Sequence, residues 1–362
     1  MEKPKNICLL CQKQIADKTG SHIIPNFLIQ SSFEGGRGQE LIFPVNIFAD
    51  FRFGREIRPE KVENAIGRDL TEDEIEQNTN EPIPYVRDYI FCKDCEHRFG
   101  VIEGIYASKI QPINGNNQAH TVDLAPHLSH LFWLSVIWRI SANRFGIKFN
   151  DSIEEQMRRI LDACLSLTAN SIASSGYYIN LLDRFGYYFI KFEEDGIVHG
   201  SYTPPLKEHI NPFFPFYINN YVLIFHPRID KSQYIIPKYL GLEEYLRIAH
   251  LNRARRKETC LCLSTELYKQ TIQVSCDFHA KQFPQQIQTL ISNYWGEECP
   301  IEFATEIFYK YIEGIQRPSD ENNGQLLKLF SRDRFLDIYR YVFESWADQG
   351  MLSKTVTHIH DK

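Results

Sequence analysis

The sequence predicts an α+β protein with a cysteine-containing N-terminal module, a long insert inside that module, and a mainly helical remainder that holds a few central strands. Three observations support this fold class. Two Cys-x-x-Cys pairs, Cys8/Cys11 and Cys92/Cys95, lie at the two ends of the first hundred residues. Helical periodicity dominates the last two thirds of the chain. Two short runs near the middle combine aromatic and β-branched residues, which favours strands.

The composition fits an ordinary globular protein of two or three domains. The 362 residues are 43% apolar and 24% charged, and no apolar run approaches the roughly 18 residues that a membrane span needs. Residues 1–6 precede no apolar stretch, so we expect no signal peptide and no membrane partner. Nine cysteines, with two pairs at metal spacing, favour a reducing, cytoplasmic location over a disulfide framework. The net charge of −6 disfavours nucleic-acid binding over the whole surface but allows a local basic groove.

We assign residues 1–115 to the cysteine module and its insert. Glycine content predicts a loop at 34–38, and the Phe, Ile and Val residues of 41–53 predict one or two strands. Thr71, followed by acidic residues, predicts the start of a short exposed helix whose acids form a solvated face. A linker is predicted at 114–117.

Residues 116–362 are predicted to form the mainly helical region. A helix that is apolar on almost all sides, 127–145, is expected to be buried, and an amphipathic helix with Ser152 as its N-cap is expected over 152–167. The remaining predictions are two strands followed by four helices, at 187–192, 221–225, 242–257, 284–295, 301–315 and 325–348.

The spacing of the two cysteine pairs predicts a structural Zn²⁺ held by Cys8, Cys11, Cys92 and Cys95. A two-residue spacer lets one tight turn present both sulfurs to the same ion, and four thiolates make a closed tetrahedral site. Zinc motifs commonly separate their pairs by about 15–20 residues, whereas 80 residues intervene here. Such an insert is tolerable because the entropic cost of loop closure rises slowly with length. The alternative is two unrelated pairs of reduced, buried cysteines.

A second group of sulfur and imidazole side chains follows later in the chain. Cys260 and Cys262 form a Cys-x-Cys pair, and Cys276 and His279 come after it. This spacing is not that of a standard zinc motif, so we favour core cysteines over a second metal site.

The N-terminal motifs resemble those of the HNH, or ββα-metal, endonucleases, which are built on a treble-clef zinc knuckle. The match comprises both cysteine pairs and the His-Ile-Ile-Pro segment at 22–25, which together cover about thirty of the 362 residues. The resemblance implies a treble-clef/ββα module in which Zn²⁺ is purely structural. It also implies hydrolysis of phosphodiester bonds, with His22 as the general base that activates water and a single Mg²⁺ or Mn²⁺ that holds the scissile phosphate.

Three positions depart from the HNH pattern. Ser21 stands where the family has an acid before the histidine, and Asp88 lies near the position of the family's asparagine. Glu96 replaces the metal-binding histidine that follows the last cysteine, and a carboxylate is a good ligand for a hard cation. Glu103 follows two helical turns later on the same face if the helix continues. Two interpretations stay open: a rebuilt site of His22, Asp88 and Glu96, with Glu96 holding the catalytic ion, or a scaffold that has lost catalysis.

The chain also resembles, more loosely, uncharacterised bacterial proteins that combine a Ser-His-Ile-Ile-Pro strand, a Cys-x-x-Cys-Glu-x-x-Phe helix and a later Ser-x-x-Trp-Arg helix. The last motif matches residues 135–139. Such proteins look like accessory genes of mobile or anti-phage systems, which implies antiviral defence but no particular activity. From the residues themselves, we interpret Trp138 and Arg139 as core packing, with the charged end of the arginine reaching solvent.

Two functions follow as hypotheses. The first is a zinc-stabilised, HNH-like endonuclease or effector that acts on nucleic acid, with DNA as the expected substrate. In this hypothesis residues 1–115 carry the active site, and residues 116–362 recognise a partner protein, sense a signal or form a homo-oligomer. The second is a non-catalytic zinc module that serves as a binding scaffold in a larger assembly. A ligand pocket in the aromatic-rich residues 177–245 is a weaker third hypothesis.

A basic cluster within the predicted helix 242–257 provides a candidate surface for nucleic acid. Its positive charges can neutralise backbone phosphates, but a solvated helix end with basic residues at its C-terminus explains them equally well. The candidate nucleic-acid-binding residues are Arg253, Arg255, Arg256 and Lys257.

Overall fold

The computed structural model divides the chain into two compact units. It describes residues 6–29, 39–42, 50–53, 59–60, 63, 69–73, 75–76, 85–110, 117–145, 148–193, 214–218, 221–227, 242–248, 250–264, 266–267, 270, 283–312 and 332–352. One unit comprises Met1–Arg37 and Glu81–Ile272, and the other comprises Gly38–Asn80 and Gln273–Lys362. Much of the predicted insert, Gly38–Asn80, belongs to the second unit. The boundary between residues 115 and 116 remains a prediction.

The α+β class predicted from the sequence is confirmed. Within the described residues, the named helices and strands follow one another in the order β1 (Ser21–His22), α1 (Asn26–Ile29), β2 (Gln39–Ile42), β3 (Asp50–Phe53), β4 (Val86–Arg87), α2 (Lys93–Ala107), β5 (Gln118–Thr121), α3 (Pro126–Ala142), α4 (Asp151–Cys164), α5 (Ala169–Ser174), α6 (Gly176–Leu182), β6 (Gly186–Phe192), β7 (Phe214–Ile218), β8 (Tyr221–His226), α7 (Glu243–Ile248), β9 (Thr259–Leu263), α8 (Phe283–Trp295), α9 (Ile301–Ile312) and α10 (Arg332–Asp348).

In the first unit, a short strand pair brings the two ends of the long insert together. β1 pairs antiparallel with β4, and His22 lies opposite Val86. A few residues after β4, the chain enters α2 with Cys92 as the N-cap residue, and the helix continues without a break to Ala107. The strand that follows the first cysteine pair and the helix that begins at the second pair are thus parts of one small structure.

A five-stranded sheet and helix α3 form the core of the first unit. The strand order is β5-β9-β6-β8-β7, with β6 and β9 parallel and the other neighbours antiparallel. Every residue of β6 and β8 is buried, as expected for inner strands covered on both faces. Helix α3 packs against α2 and α4, and the ring of Trp133 lies 5.0 Å from that of Phe189 on β6. The almost uniformly apolar sequence of α3 is therefore explained by its central position.

In the second unit, α8, α9 and α10 pack around a core of aliphatic and aromatic side chains. Trp295 on α8 donates a hydrogen bond from Nε1 to the Tyr339 hydroxyl on α10 at 2.9 Å. Phe303 on α9 packs edge-on against Trp346 on α10. The β2–β3 hairpin also belongs to this unit. No described helix in either unit has the length and apolar character needed to cross a membrane.

Most of the predicted local structure is confirmed within the described residues. β2 and β3 overlap the predicted strand segment 41–53, and the described acidic residues after Thr71, which are Glu72, Asp73 and Glu76, are helical and exposed. The predicted buried helix is α3, the two aromatic runs are β6 and β8, and the last three predicted helices correspond to α8, α9 and α10. The predicted loop at 34–38, most of the linker at 114–117 and the parts of the last helices within 313–331 lie outside the described residues.

The predicted N-cap of α4 is wrong by two positions. Asn150, not Ser152, precedes the helix, and its side-chain oxygen accepts a hydrogen bond from the Ile153 backbone N–H at 3.0 Å. Both residue types can cap a helix, so local preference alone does not distinguish them.

The helix predicted over 242–257 is also wrong beyond its first turns. Helix α7 ends at Ile248. Asn252 then forms a β-bridge with Tyr187, and its side chain both donates to and accepts from the backbone of Thr259. These contacts with distant residues hold the segment in an irregular conformation, against its helical preference.

Candidate metal centre and active site

The four cysteines of the two Cys-x-x-Cys pairs form one cluster. Their sulfur atoms all lie within 4.8 Å of one another, so the cluster can hold a metal ion, as the sequence predicted. The first pair lies on a turn closed by the Gln12 N–H, which donates to the Cys8 carbonyl at 3.0 Å. The second pair spans the N-cap and first turn of α2. Cys8, Cys92 and Cys95 are buried, and Cys11 is partly exposed.

Backbone contacts hold the two knuckles together across the long insert. Leu9, between the first two cysteines, donates its N–H to the Ile90 carbonyl at 2.9 Å. The Lys93 N–H at the start of α2 donates to the Asp17 carboxylate at 3.0 Å. Asp17 lies in the loop after the first cysteine pair, and its carboxylate caps α2, the helix that carries the second pair. The contact satisfies one of the backbone N–H donors that a helix N-terminus leaves free.

The protonation of the cluster favours thiolate formation at Cys8. A hydrogen bond from the Cys95 thiol lowers the pKa of Cys8 to about 4. The same bond raises the pKa of Cys95, since the donating thiol must keep its proton. A thiolate is the form of cysteine that binds metals. A cation that binds at the cluster would therefore displace the protons of the remaining thiols.

After this cluster, α2 carries Glu103, whose carboxylate contacts a buried arginine of α3. Arg139 is only 1% exposed, and its Nη2 lies 2.6 Å from Glu103 Oε1. Its Nη1 donates to the His22 carbonyl at 2.8 Å, and its guanidinium lies over the Phe99 ring at 4.8 Å from the ring centre. The interpretation of Arg139 as an arginine that reaches solvent is therefore wrong: Glu103 balances its charge inside the protein.

The positive charge of Arg139 affects the pKa of both Glu96 and His22. Burial raises the pKa of Glu96, while the charge of Arg139 opposes that shift. Burial lowers the pKa of His22, the Glu103 charge raises it, and Arg139 and Lys18 lower it further. The imidazole is therefore neutral near pH 7. We call His22, Glu96, Glu103 and Arg139 the polar cluster.

Asp88, the third predicted catalytic residue, has a structural contact. Its carboxylate accepts a hydrogen bond from the Gly20 N–H at 2.8 Å, where Gly20 adopts a φ of 68° just before β1. Among the residues that the structure describes, only the four cysteines bring three or more His, Cys, Asp or Glu ligand atoms within 4.8 Å of one another. His22, Asp88 and Glu96 therefore do not form a ready three-ligand cation site.

The structure adds Glu103 and Arg139 to the residues selected from the sequence. The seven-residue spacing predicted that Glu103 lies on the same helix face as Glu96, and α2 is helical through both residues. The signal for Arg139 was a charged residue in the middle of an otherwise apolar helix, which needs a buried partner. No local pattern indicates that this partner is Glu103.

Known proteins offer no assignment for this arrangement. No protein-family model, curated protein or solved structure matches the chain.

The four candidate nucleic-acid-binding residues, Arg253, Arg255, Arg256 and Lys257, do not lie on a helix. Arg253 donates to the Asp183 carboxylate at 2.7 Å, and Arg255 lies 3.5 Å from the same carboxylate. Lys257 lies 3.4 Å from Asp123. Much of the positive charge is thus used in contacts within the protein, which weakens the case for a phosphate-binding surface here.

The remaining candidates from the sequence are core residues where the structure describes them. Cys260 and Cys262 are each 1% exposed on β9, with their sulfurs 3.9 Å apart, as the core interpretation predicts. Cys276 and His279 lie outside the described residues. In the aromatic-rich segment, Phe189 on β6 is 1% exposed and packs against Trp133, so its ring contributes to the core and not to a ligand pocket.

A buried carboxyl group that sequence reasoning missed lies beside β9. Glu258 is 1% exposed and accepts hydrogen bonds from the hydroxyls of Tyr187 at 2.7 Å and Tyr106 at 3.0 Å. Trp133 in turn donates to the Tyr106 oxygen at 2.8 Å. Burial raises the pKa of Glu258 to about 7. Since Tyr106 is on α2, this network anchors the far end of the helix that carries the polar cluster.

Proposed function

We propose that this protein is an HNH-like nuclease that hydrolyses phosphodiester bonds in nucleic acid, with DNA as the first substrate to examine. The observation that carries the proposal is the buried Arg139, which lies 2.6 Å from Glu103 and donates to the His22 carbonyl at 2.8 Å, so that the charges of Arg139 and Glu103 both act on the His22 imidazole. A half-buried, neutral imidazole close to carboxylates has the chemical groups that metal-assisted hydrolysis requires.

We assign the metal of the cysteine cluster as structural Zn²⁺. The four donors are all sulfur, which suits zinc in a closed tetrahedral site with Zn–S distances of about 2.3 Å. The lowered pKa of Cys8 supports binding as a thiolate. Because Cys8, Cys11, Cys92 and Cys95 fill all four positions, this site holds the knuckles together and has no open position for a substrate.

His22 acts as the general base in this proposal. Its pKa is lowered by burial and by the charges of Arg139 and Lys18, so the imidazole can accept a proton from water near pH 7. The hydrogen bond from Arg139 to the His22 carbonyl fixes the strand that carries the imidazole. A general base gains from such fixed placement because proton transfer requires a close and directed contact.

In this proposal, Glu96 and Glu103 would supply carboxylate oxygens to a catalytic cation. Mg²⁺ or Mn²⁺ bound there would stabilise the charge of the phosphate and of the leaving oxygen. Burial favours the protonated form of Glu96, and the nearby Arg139 charge favours the carboxylate that a cation needs. We assign Asp88 to the turn before β1, because its carboxylate already binds the Gly20 N–H.

The decisive experiment compares His22→Ala with His97→Ala in a plasmid-cleavage assay containing Mg²⁺ or Mn²⁺. His97 is an exposed histidine on α2, next to Glu96, and serves as the matched control. Loss of a general base typically costs about 100- to 10,000-fold in rate, so His22→Ala should fall to background while His97→Ala cleaves like the parent. Zinc content should be the same in all three proteins. Equal cleavage by His22→Ala and the parent would remove His22 from the mechanism.

A non-catalytic binding scaffold is the second candidate function. Two observations favour it: the polar cluster supplies no three-ligand cation site of its own, and Glu103 is already paired with Arg139. The two candidates separate when the parent protein is incubated with DNA and RNA in the presence of either cation. Binding without any cleavage, by a zinc-loaded and folded protein, would favour the scaffold, with a nucleic acid or a protein as its partner.

A further inference from the structure

Arg98 on α2 connects the cysteine cluster to α4. Its Nη2 donates to Cys95 Sγ at 2.8 Å and to the Asp162 carboxylate at 3.1 Å. Its Nη1 donates to the Asp162 carbonyl at 3.0 Å and also to the Ser166 hydroxyl just after α4. A single planar guanidinium thus binds a cysteine of the second knuckle and the C-terminal end of α4 at the same time. Its side chain is only 19% exposed.

Arg158 makes the corresponding connection to the first knuckle. From α4, its Nη1 donates to the carbonyl of Leu10 at 2.6 Å, directly before Cys11. Its Nε and Nη2 donate to the two oxygens of Glu155 at 2.7 and 2.9 Å, which holds the guanidinium in place. Both knuckles therefore have an arginine contact, and both contacts lead to α4.

These contacts match the electrostatic requirement of a four-thiolate site. Four thiolates around one divalent ion carry a net charge of minus two, which is costly in a mostly buried position unless donors and positive charges surround it. N–H donors to ligating sulfurs, and cations near them, are the partners that stabilise such a site. The apolar face of α4 is anchored independently, because Met157 and Leu161 are buried in the core.

We propose that Arg98 and Arg158 are positioning residues of the metal centre, and that they couple metal binding at the four cysteines to the packing of α4. Arg98 acts through Cys95, and Arg158 acts through the Leu10 carbonyl of the first knuckle. This inference rests on the cysteine cluster being loaded with Zn²⁺, which is part of the proposed function. It does not depend on whether the protein cleaves nucleic acid.

Zinc affinity measures the first half of the proposal. The full-length protein is titrated with Zn²⁺ against a chromophoric chelator, comparing Arg98→Gln, Arg158→Gln and Arg159→Gln with the parent. Arg159 is the matched control because it lies on α4 and also binds Glu155, but its side chain is 74% exposed. Loss of a group that hydrogen-bonds to a metal ligand typically weakens metal binding by about 10- to 100-fold, so we expect that range for Arg98→Gln. Arg158→Gln should weaken binding measurably, and Arg159→Gln should leave it unchanged.

Conservative replacement separates positioning from folding. Arg98→Lys keeps a positive charge but cannot reproduce the planar fork that binds sulfur and carboxylate together. It should recover part of the affinity that Arg98→Gln loses. If Arg98→Gln does not fold by circular dichroism, the comparison of Arg98→Lys with Arg159→Lys decides, and equal zinc affinity in those two proteins would overturn the proposal. For a folded Arg98→Gln, affinity within about twofold of the parent overturns it as well.

Amide hydrogen exchange of α4 measures the second half. Removing zinc from the parent with EDTA should speed exchange across Asp151–Cys164, and zinc-loaded Arg98→Gln should already exchange faster there than zinc-loaded parent. Unchanged exchange of α4 after zinc removal would refute the coupling. A protein that binds no zinc at all would instead refute the four-cysteine metal centre itself, so the two failures are distinguishable.

Discussion

Replacing Glu258 by glutamine should remove a pH-dependent loss of stability from the first unit. The Glu258 carboxyl is buried and accepts hydrogen bonds from Tyr106 and Tyr187, and burial is the main cause of its raised pKa. Glutamine has nearly the same shape and keeps a carbonyl oxygen for one tyrosine, but it cannot acquire a charge. The parent and the variant should therefore differ mainly in how their stability responds to pH.

The sign and size of the effect follow from the raised pKa. The folded protein holds the Glu258 proton up to about pH 7, whereas the unfolded chain loses it near 4.5. The stabilisation is therefore complete below pH 4.5 and is lost as the pH rises through 7. A difference of about 2.5 pKa units corresponds to about 3 kcal/mol in the free energy of unfolding. His130 and His226, whose burial lowers their pKa to about 4, have the opposite pH dependence, but they are unchanged in both proteins.

Urea unfolding at several pH values between about 5 and 8 measures this difference. Trp295 and Trp346 belong to the second unit, so replacing both with Phe in parent and variant leaves Trp133 and Trp138 as fluorescence reporters of the first unit. The parent should lose about 2.5 kcal/mol relative to Glu258→Gln across this range, because part of the effect has already occurred at pH 5. Glu244→Gln, a change at an exposed carboxyl on α7, is the control and should follow the parent. Parallel stability curves for the parent and Glu258→Gln would refute a buried carboxyl that titrates near neutrality.

The metal centre and the buried ion pair give two further predictions. Cys8→Ser should abolish stoichiometric zinc binding, as measured by elemental analysis, and should lower the melting temperature; Cys299→Ser, a change at a buried cysteine outside the cluster, should keep its zinc. Arg139→Met should cost about 3 kcal/mol of stability in urea unfolding, because it leaves the Glu103 carboxylate partly buried without its partner. The double variant Arg139→Met/Glu103→Gln should recover much of that loss, and full additivity of the two single changes would contradict a direct pair.

Local sequence patterns predicted the helices and strands whose side chains are buried on nearly every side. Helix α3 is apolar on almost every side, and the structure places it between helices and a sheet. The all-buried strands β6 and β8 likewise have predominantly apolar sequences. The helix predicted for 250–257 was wrong because a distant contact determines this segment. Its residues tolerate a helix, but Asn252 forms a β-bridge with Tyr187, which the local sequence does not reveal.

The polar cluster was predictable only in part. His22 and Glu96 were selected because they match positions in a motif, and the β1–β4 pairing and the N-cap at Cys92 explain how that motif folds. Arg139 was misjudged because an arginine in an apolar helix has two physical solutions, which are to reach solvent or to find a buried partner. Its 2.6 Å contact with Glu103 decides between them.

The sequence by itself determined which residues can share a turn of helix, a strand or a Cys-x-x-Cys knuckle, because these relations depend on spacing alone. Only the tertiary structure decided which distant groups meet: four sulfurs across an 80-residue separation, Arg98 with Cys95 and Asp162, and Glu258 with two tyrosines. The physical reason is that a buried charge or polar group must be matched by whatever the packing brings within hydrogen-bond distance. Which groups come that close depends on how whole helices and strands pack against one another, and not on the residues next to each group in the chain.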